Sequence, residues 1–312
     1  MIQRLPTRGW VAGGVAVAVA LLAFAFTAAD AQDETIEIYK SASASNSGTP
    51  DPIFIAIVGT DDRPGVSGAR ADAIHVVGVN QALGKATIIN IPRDTHVEIP
   101  GHGRRKINES HTLGKAALVS ETLTTLTGAP IHFVITTNFE GFTNIVNDVG
   151  GVAIDVPYGI EDAAYSGASV GAGPNHMSGE AALAYARARH GTPHGDFSRT
   201  SNQGLLLVSA LAQVRGNPHG PLDLSKQVAI LLRHLKTTNG VTTADLYSLA
   251  RIGVTIPHDE VDSITMPGAS GSAGGASVVI PSAEAGPMFA DFADDGVVQN
   301  PPPTDSAGNT FP

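Results

Sequence analysis

Arginines recur in this chain beside carboxylates, in short polar segments that flank apolar runs. The segments are Gly59-Thr60-Asp61-Asp62-Arg63, Arg70-Ala71-Asp72, Pro92-Arg93-Asp94, Lys106-Ile107-Asn108, Arg187-Ala188-Arg189 and Asp196-Phe197-Ser198-Arg199, with Gln203 four residues further on. A guanidinium is a fork of donors matched to phosphate oxygens, and it stays charged at any working pH. Arginines interleaved with carboxylates point to a phosphate or pyrophosphate held together with a divalent cation. Asp61 and Asp72 flank one loop, and two carboxylates with phosphate oxygens and water make a hard-oxygen site for Mg²⁺. Taken alone, each is equally the turn-capping residue that aspartate favours.

Pro92 ends an apolar strand, since proline cannot donate to a sheet ladder. Arg93 then stands at a strand end, where α/β sheets present ligands. Asp94 either orients Arg93 or accepts a proton, and the bland alternative is a surface ion pair. Arg187 and Arg189 would point about 200° apart on a continuing helix. They converge on one ligand only if the helix ends there, as Gly191 and Pro193 suggest. Arg199 and Gln203 share a helix face near an N-terminus that favours anions, or else form a solvated face. His190 and His194 have the spacing of a helical metal pair but lie in a Gly/Pro loop. No His-Glu-x-x-His, Gly-x-Ser-x-Gly, Walker or dinucleotide-binding motif is present.

The elements that position these groups follow from hydrophobic patterning. Short apolar runs predict strands over 53–59, 73–80, 85–91, 131–137, 152–156, 261–266 and 277–280. Helical spacing covers 113–127, 139–149, 199–214, 224–235, 243–251 and 283–292, and Ser178 N-caps a helix to Arg187. Alternating strands and helices predict a three-layer α/β/α domain with a central sheet over 51–295. Residues 30–50 read as a polar linker and 296–312, with Pro301-Pro302-Pro303, as a disordered tail.

The formal charge of −10 excludes blanket binding of polyanions, so nucleic acid is not the expected partner. Cysteine is absent, which removes disulfides, thiolate metal sites and cysteine nucleophiles. Arg4 and Arg8, in the segment 1–8, precede an uncharged apolar run over 9–29, long enough to cross a bilayer. Basic residues before the run and acidic ones after it predict a single-pass anchor in the cell membrane with the domain outside. A cleaved signal peptide ending near Ala29-Asp30-Ala31 is the alternative. Both place the domain beyond the membrane.

Taken together and in order, several segments resemble the LytR–CpsA–Psr family of bacterial cell-wall proteins. They are GTDDRPG from Gly59, RADAI from Arg70, IPRDTHVEIPG from Ile91, KIN from Lys106, NFEGFTNIVNDVGGVAIDVP from Asn138, GEAALAYARARH from Gly179 and GDFSRTSNQ from Gly195. The resemblance runs over 53–292. It implies the family's α/β domain with a mixed central sheet. It also implies a phosphotransferase that moves a glycopolymer with its phosphate from a polyprenyl-pyrophosphate carrier to a peptidoglycan acceptor. On this reading Asp61 and Asp72 hold Mg²⁺ or Mn²⁺, with Asp62 adjacent and able to exchange roles with Asp61. Arg63, Arg70, Arg93, Lys106, Arg187, Arg189, Arg199 and Gln203 surround the pyrophosphate. Arg70, Arg93, Arg187 and Arg199 act on the reacting phosphate, and Asp94 is the candidate base; Asp196 shares the ambiguity between catalysis and orienting an arginine. The lipid needs an apolar tunnel, for which 181–186 and 205–214 offer apolar faces. The Ala- and Gly-rich composition suits an actinobacterial source, where the polymer would be arabinogalactan. Two other functions are alternatives: a lipid-pyrophosphate hydrolase using the same site, and a non-catalytic binder of polyprenyl phosphate or anionic glycan, which would not need the two carboxylates beside the arginines.

Overall fold

Apolar runs too short for helices build the centre of the molecule. The structure, a computed structural model, describes residues 35–44, 51–62, 68–216, 234–238 and 240–303. In chain order the strands are β1 (Ile36–Lys40), β2 (Ile53–Thr60), β3 (Ala71–Asn80), β4 (Lys85–Asn90), β5 (His96–Ile99), β6 (Gly103–Lys106), β7 (Phe133–Asn138), β8 (Val152–Val156), β9 (Ile160–Asp162), β10 (Ala168–Val170), β11 (Gly173–Met177), β12 (Leu235–Thr237), β13 (Val261–Thr265), β14 (Gly268–Ala273) and β15 (Ala276–Pro281). The described helices are α1 (Glu109–Thr127), α2 (Phe139–Asp148), α3 (Gly179–Arg187), α4 (Asp196–Gly216), α5 (Thr243–Thr255) and α6 (Ala285–Asp295).

Seven strands form the main sheet in the order β12-β1-β7-β2-β3-β4-β13. β1/β12, β2/β7 and β4/β13 are parallel, whereas β1/β7, β2/β3 and β3/β4 are antiparallel, so the sheet is mixed. Successive strand side chains point to opposite faces, and β2 feeds two cores. Phe54, Ala56 and Val58 pack with residues of α1 and α6 on one face. Ile53 and Ile55 pack with Leu246 and Ile252 of α5, and with Ile256 just after it, on the other. A third cluster joins β8 to α3 and α4, with Phe142 and Val146 of α2 against it. Helices thus cover both faces, as the alternation of elements predicts.

The structure departs from the sequence expectation in several places. Ile36–Lys40, expected within the linker, is a sheet strand paired with β7 and β12. Its alternating Ile36 and Ile38 are buried, and that burial holds it there. The expected tail begins too early: Val297 and Val298 are buried, and the Val298 N–H donates to Thr87 Oγ1 at 3.0 Å. Helix α1 contains a break, with Gly114 and Lys115 outside helical geometry. The hairpins β5/β6 and β9/β10 and the strands β11, which pairs with the expected β8, and β14 were not expected. The expected helix over 224–235 lies outside the described residues except for its last two, and Leu235 opens β12. The segments 1–8 and 9–29 also lie outside them. Among the described residues no helix is long and apolar enough to cross a membrane.

Candidate functional site

The carboxyl ends of β2, β4 and β7 and the start of β3 meet at one end of the sheet. There the β2/β3 ladder slips: Gly59 pairs with Ala73 but Thr60 with Ala71. Asp72 is the extra residue, and such a bulge re-aims a side chain. Asp72 Oδ1 lies 2.5 Å from Arg93 Nη1. Arg93 follows β4 in a turn closed by Thr95 N–H on the Pro92 carbonyl at 3.0 Å. The Asn108 N–H donates to the Arg93 carbonyl, and the Asn108 carbonyl accepts from Ala71 N–H. These backbone bonds bring the RAD, PRD and KIN segments together although they are far apart in sequence.

Helix α3 supplies the next pair. Its C-cap residue Ala188 is extended (φ −66°, ψ 129°), so the helix stops at Arg187 and the chain straightens. Arg187 and Arg189 consequently line the same cavity. The Arg187 guanidinium sits 5.2 Å over the Phe139 ring, a cation–π contact that holds it on α2. The segment after Arg187 is clamped by Asp162, which is 2% exposed. Asp162 Oδ2 accepts from the backbone N–H groups of Arg189 at 3.0 Å and His190 at 3.3 Å. Burial alone would raise the Asp162 pKa. The N–H donors, Ser166 and the nearby His190 outweigh burial and hold it below the ordinary aspartate value.

Arg199, on the first turn of α4, is only 5% exposed. Its Nη2 lies 2.7 Å from Asp196 Oδ1. That contact lacks hydrogen-bond angles, and Nε and Nη2 of Arg199 and Nε of Arg93 are buried without a hydrogen-bond partner. Both carboxylate oxygens of Asp196 are likewise buried without a hydrogen-bond partner, and buried polar groups left so are costly. Burial is the largest influence on both arginines. In Arg199 it wins and lowers the pKa; in Arg93 the charges of Asp72, Asp196 and Asp94 outweigh it and raise the pKa. Gln203 Nε2 donates to the Ala186 carbonyl at 2.9 Å, tying α4 to the last turn of α3.

These groups surround a cavity of about 430 Å³. Its lining combines Asp72, Arg93, Arg187, Arg189, Arg199 and Gln203 with the apolar side chains Ile57, Phe142, Val146, Leu183, Leu206 and Leu207 from β2 and helices α2, α3 and α4. His75 lies in its floor, where burial lowers its pKa to about 4 despite the bond to Asn90, so it is neutral at working pH.

Other expected residues lie outside the cavity wall. Lys106 Nζ pairs with Asp94 Oδ1 at 2.9 Å, so Asp94 answers to Lys106 in direct contact, while Arg93 answers to Asp72. Arg70 is exposed, and its N–H donates to Asp61 Oδ1 at 2.6 Å. Arg63 lies outside the described residues. Among the described residues no group of three or more His, Asp or Glu assembles to hold a metal. His190 Nδ1 instead lies 3.2 Å from Asp162 Oδ1. Asp162, Tyr165 and Phe139 were not singled out from sequence.

The LytR_cpsA_psr family model matches residues 19–290 of the chain. The polyisoprenyl-teichoic acid–peptidoglycan teichoic acid transferase TagU of Bacillus licheniformis is 33% identical over 180 residues, covering 57% of this chain and 58% of that protein. The chain therefore spans little more than half the length of that relative. Among solved structures, Bacillus subtilis TagV superposes with a TM-score of 0.65 at 24% identity, covering 78% of this chain and 98% of that one. The LytR-CPS2A-psr family protein YwtF (TagT) with bound octaprenyl pyrophosphate lipid superposes at 0.63, with 24% identity and 83% and 97% coverage. Both likenesses are likenesses of fold.

Proposed function

From the premise that the chain belongs to the LytR_cpsA_psr family, we propose that it is a phosphotransferase acting on a polyprenyl-pyrophosphate-linked glycopolymer, with peptidoglycan as acceptor. The observation that carries this is the mixed lining of one cavity. Four arginines (Arg93, Arg187, Arg189 and Arg199) and apolar side chains of three helices line the same space, which suits an anionic head on a hydrocarbon tail. The name of the Bacillus licheniformis relative and the lipid in the TagT structure support the same reading.

Phosphoryl transfer needs neutralised non-bridging oxygens and two reacting oxygens held in line. Arg199, buried and pinned beside Asp196, and Arg93, pinned by Asp72, are preorganised for the first task. Arg187, held over Phe139, and Arg189, whose backbone is held by Asp162, add two further positive charges to the same cavity. Gln203 keeps α3 and α4 in register around the head group. The acceptor hydroxyl attacks the phosphorus that carries the glycan, and polyprenyl phosphate leaves, so no covalent protein intermediate is required. Asp61 and Asp72 would hold Mg²⁺ or Mn²⁺. Two carboxylates suit Mg²⁺, which fills its other positions with phosphate oxygens and water. When bound, the cation supplies further neutralisation of phosphate charge. Arg70 and Lys106, outside the cavity wall, would add longer-range positive charge. The apolar run over 9–29 would hold the domain at the outer membrane surface, where its lipid donor lies.

The test is the purified full chain in detergent with a polyprenyl-pyrophosphoryl disaccharide, Mg²⁺ and peptidoglycan oligomers, with products read by mass spectrometry. The expected product is disaccharide phosphate joined to the glycan, lost on chelation and in Arg93→Ala. Free disaccharide phosphate as the sole product would overturn transfer in favour of hydrolysis. Donor binding without turnover would overturn both.

A further inference from the structure

The proposed transfer leaves the proton of the incoming hydroxyl unassigned. Asp94 is paired with Lys106 and is absent from the cavity wall. Asp72 is held by Arg93. Asp162 lines the cavity, but Oδ2 takes two backbone N–H groups and Oδ1 faces His190. What it leaves is an Asp–His pair. A carboxylate acceptor at Nδ1 fixes the tautomer with the proton on Nδ1 and leaves Nε2 with its lone pair. His190 lines the same cavity as the arginines. Its ring is fixed from a second side by Tyr165, at 3.9 Å between centroids. Its backbone N–H is held by the same Asp162. A histidine fixed by ring, backbone and Nδ1 is oriented in the manner of a general base.

Resting on the transferase reading, we infer that His190 is the catalytic base, oriented by Asp162, that takes the proton of the attacking hydroxyl. The proton passes from the hydroxyl to Nε2 as the new O–P bond forms to the glycan-bearing phosphorus. The P–O bond to polyprenyl phosphate breaks and its electron pair leaves with that phosphate. The imidazolium, balanced by Asp162, later returns its proton to water. The groups in contact with the His190 ring are the carboxylate of Asp162 and the titratable ring of Tyr165, while Arg187 and Arg189 line the same cavity. Asp72, Arg93 and Arg199 share the cavity. Tyr165, which lines the cavity beside His190, is 72% exposed to solvent.

The experiment compares wild type, His190→Gln and His190→Ala, as the full chain, for kcat and donor KM over pH 5–9. His190→Gln should lower kcat by roughly 10²–10⁴-fold, the usual contribution of a general base, with donor KM unchanged. The acid limb of the wild-type profile should vanish in the variant. Added imidazole should restore part of the His190→Ala rate. A His190→Gln enzyme within threefold of wild type, or one that keeps the acid limb, overturns the inference. So does a variant whose loss lies in KM, which would make the Asp162–His190 pair a clamp only. If wild type releases free disaccharide phosphate, the transfer reading fails while the same profiles still judge His190 against water as nucleophile. If wild type yields no product, both fall.

Discussion

At the scale of the residue, the cavity holds guanidinium nitrogens, Nε of Arg93 and Nε and Nη2 of Arg199, that are buried without a hydrogen-bond partner. Arg93 is the most direct probe, because one nitrogen is fixed by Asp72 while Nε is buried without a partner. Arg93→Lys keeps the charge but loses the fork, and transfer is expected to fall about 10²–10³-fold, as on removing one preorganised donor. Steady-state rates beside an unchanged circular dichroism spectrum would check it. Asp162 makes a second prediction. Its native pKa lies below the ordinary value, so the unfolded chain binds its proton more readily. The stability it contributes is present above the unfolded pKa of about 4 and is lost as pH falls through the lower native value. Denaturant melts of wild type and Asp162→Asn should differ most near neutrality and converge in acid; a constant gap would contradict the clamp. The arginines were legible in sequence because charge interrupting an apolar run is conspicuous. Asp162 was not, because its partners Arg189 and His190 lie 27 and 28 residues away, and only folding joins them.

At the scale of the element, close approach decides the shape of the cavity. Gly204 of α4 has room for no side chain: a Cβ there would lie 2.4 Å from the amide atoms of Asn90. Asn90 cannot swing aside freely, since it holds His75 and Ser263. Gly204→Ala should therefore cost about 1–3 kcal/mol, the usual toll of overpacking, measurable by urea unfolding. The apolar lining makes a separate prediction. Leu207→Trp should raise KM for long-chain polyprenyl donors roughly tenfold, equivalent to about 1.4 kcal/mol of lost binding, and leave short-chain donors little changed. Equal effects on both would place the tail elsewhere. Elements with sharp boundaries were readable: Ser178 caps α3 through its bond to Ala181 N–H, and Val152–Val156 is a strand as its alternation predicts. The short strands were not. Ile36–Lys40 has only two buried isoleucines to announce it, and Gly103–Lys106 has none.

At the scale of the whole molecule, the mixed sheet carries the site at the ends of β2, β4 and β7, and α2, α3 and α4 enclose the space beside it. Sequence alternation reveals the layers but not the strand order, because pairing β1 with both β7 and β12 depends on contacts between distant segments. The central claim is that one cavity takes both halves of one amphiphile. The most direct measurement is a crystal structure of the protein with a polyprenyl pyrophosphate bound. The account predicts pyrophosphate oxygens against Arg93, Arg187, Arg189 and Arg199, with the prenyl chain between α2, α3 and α4. A lipid bound outside those helices, or a pyrophosphate that leaves the buried nitrogens of Arg199 unmatched, would contradict it.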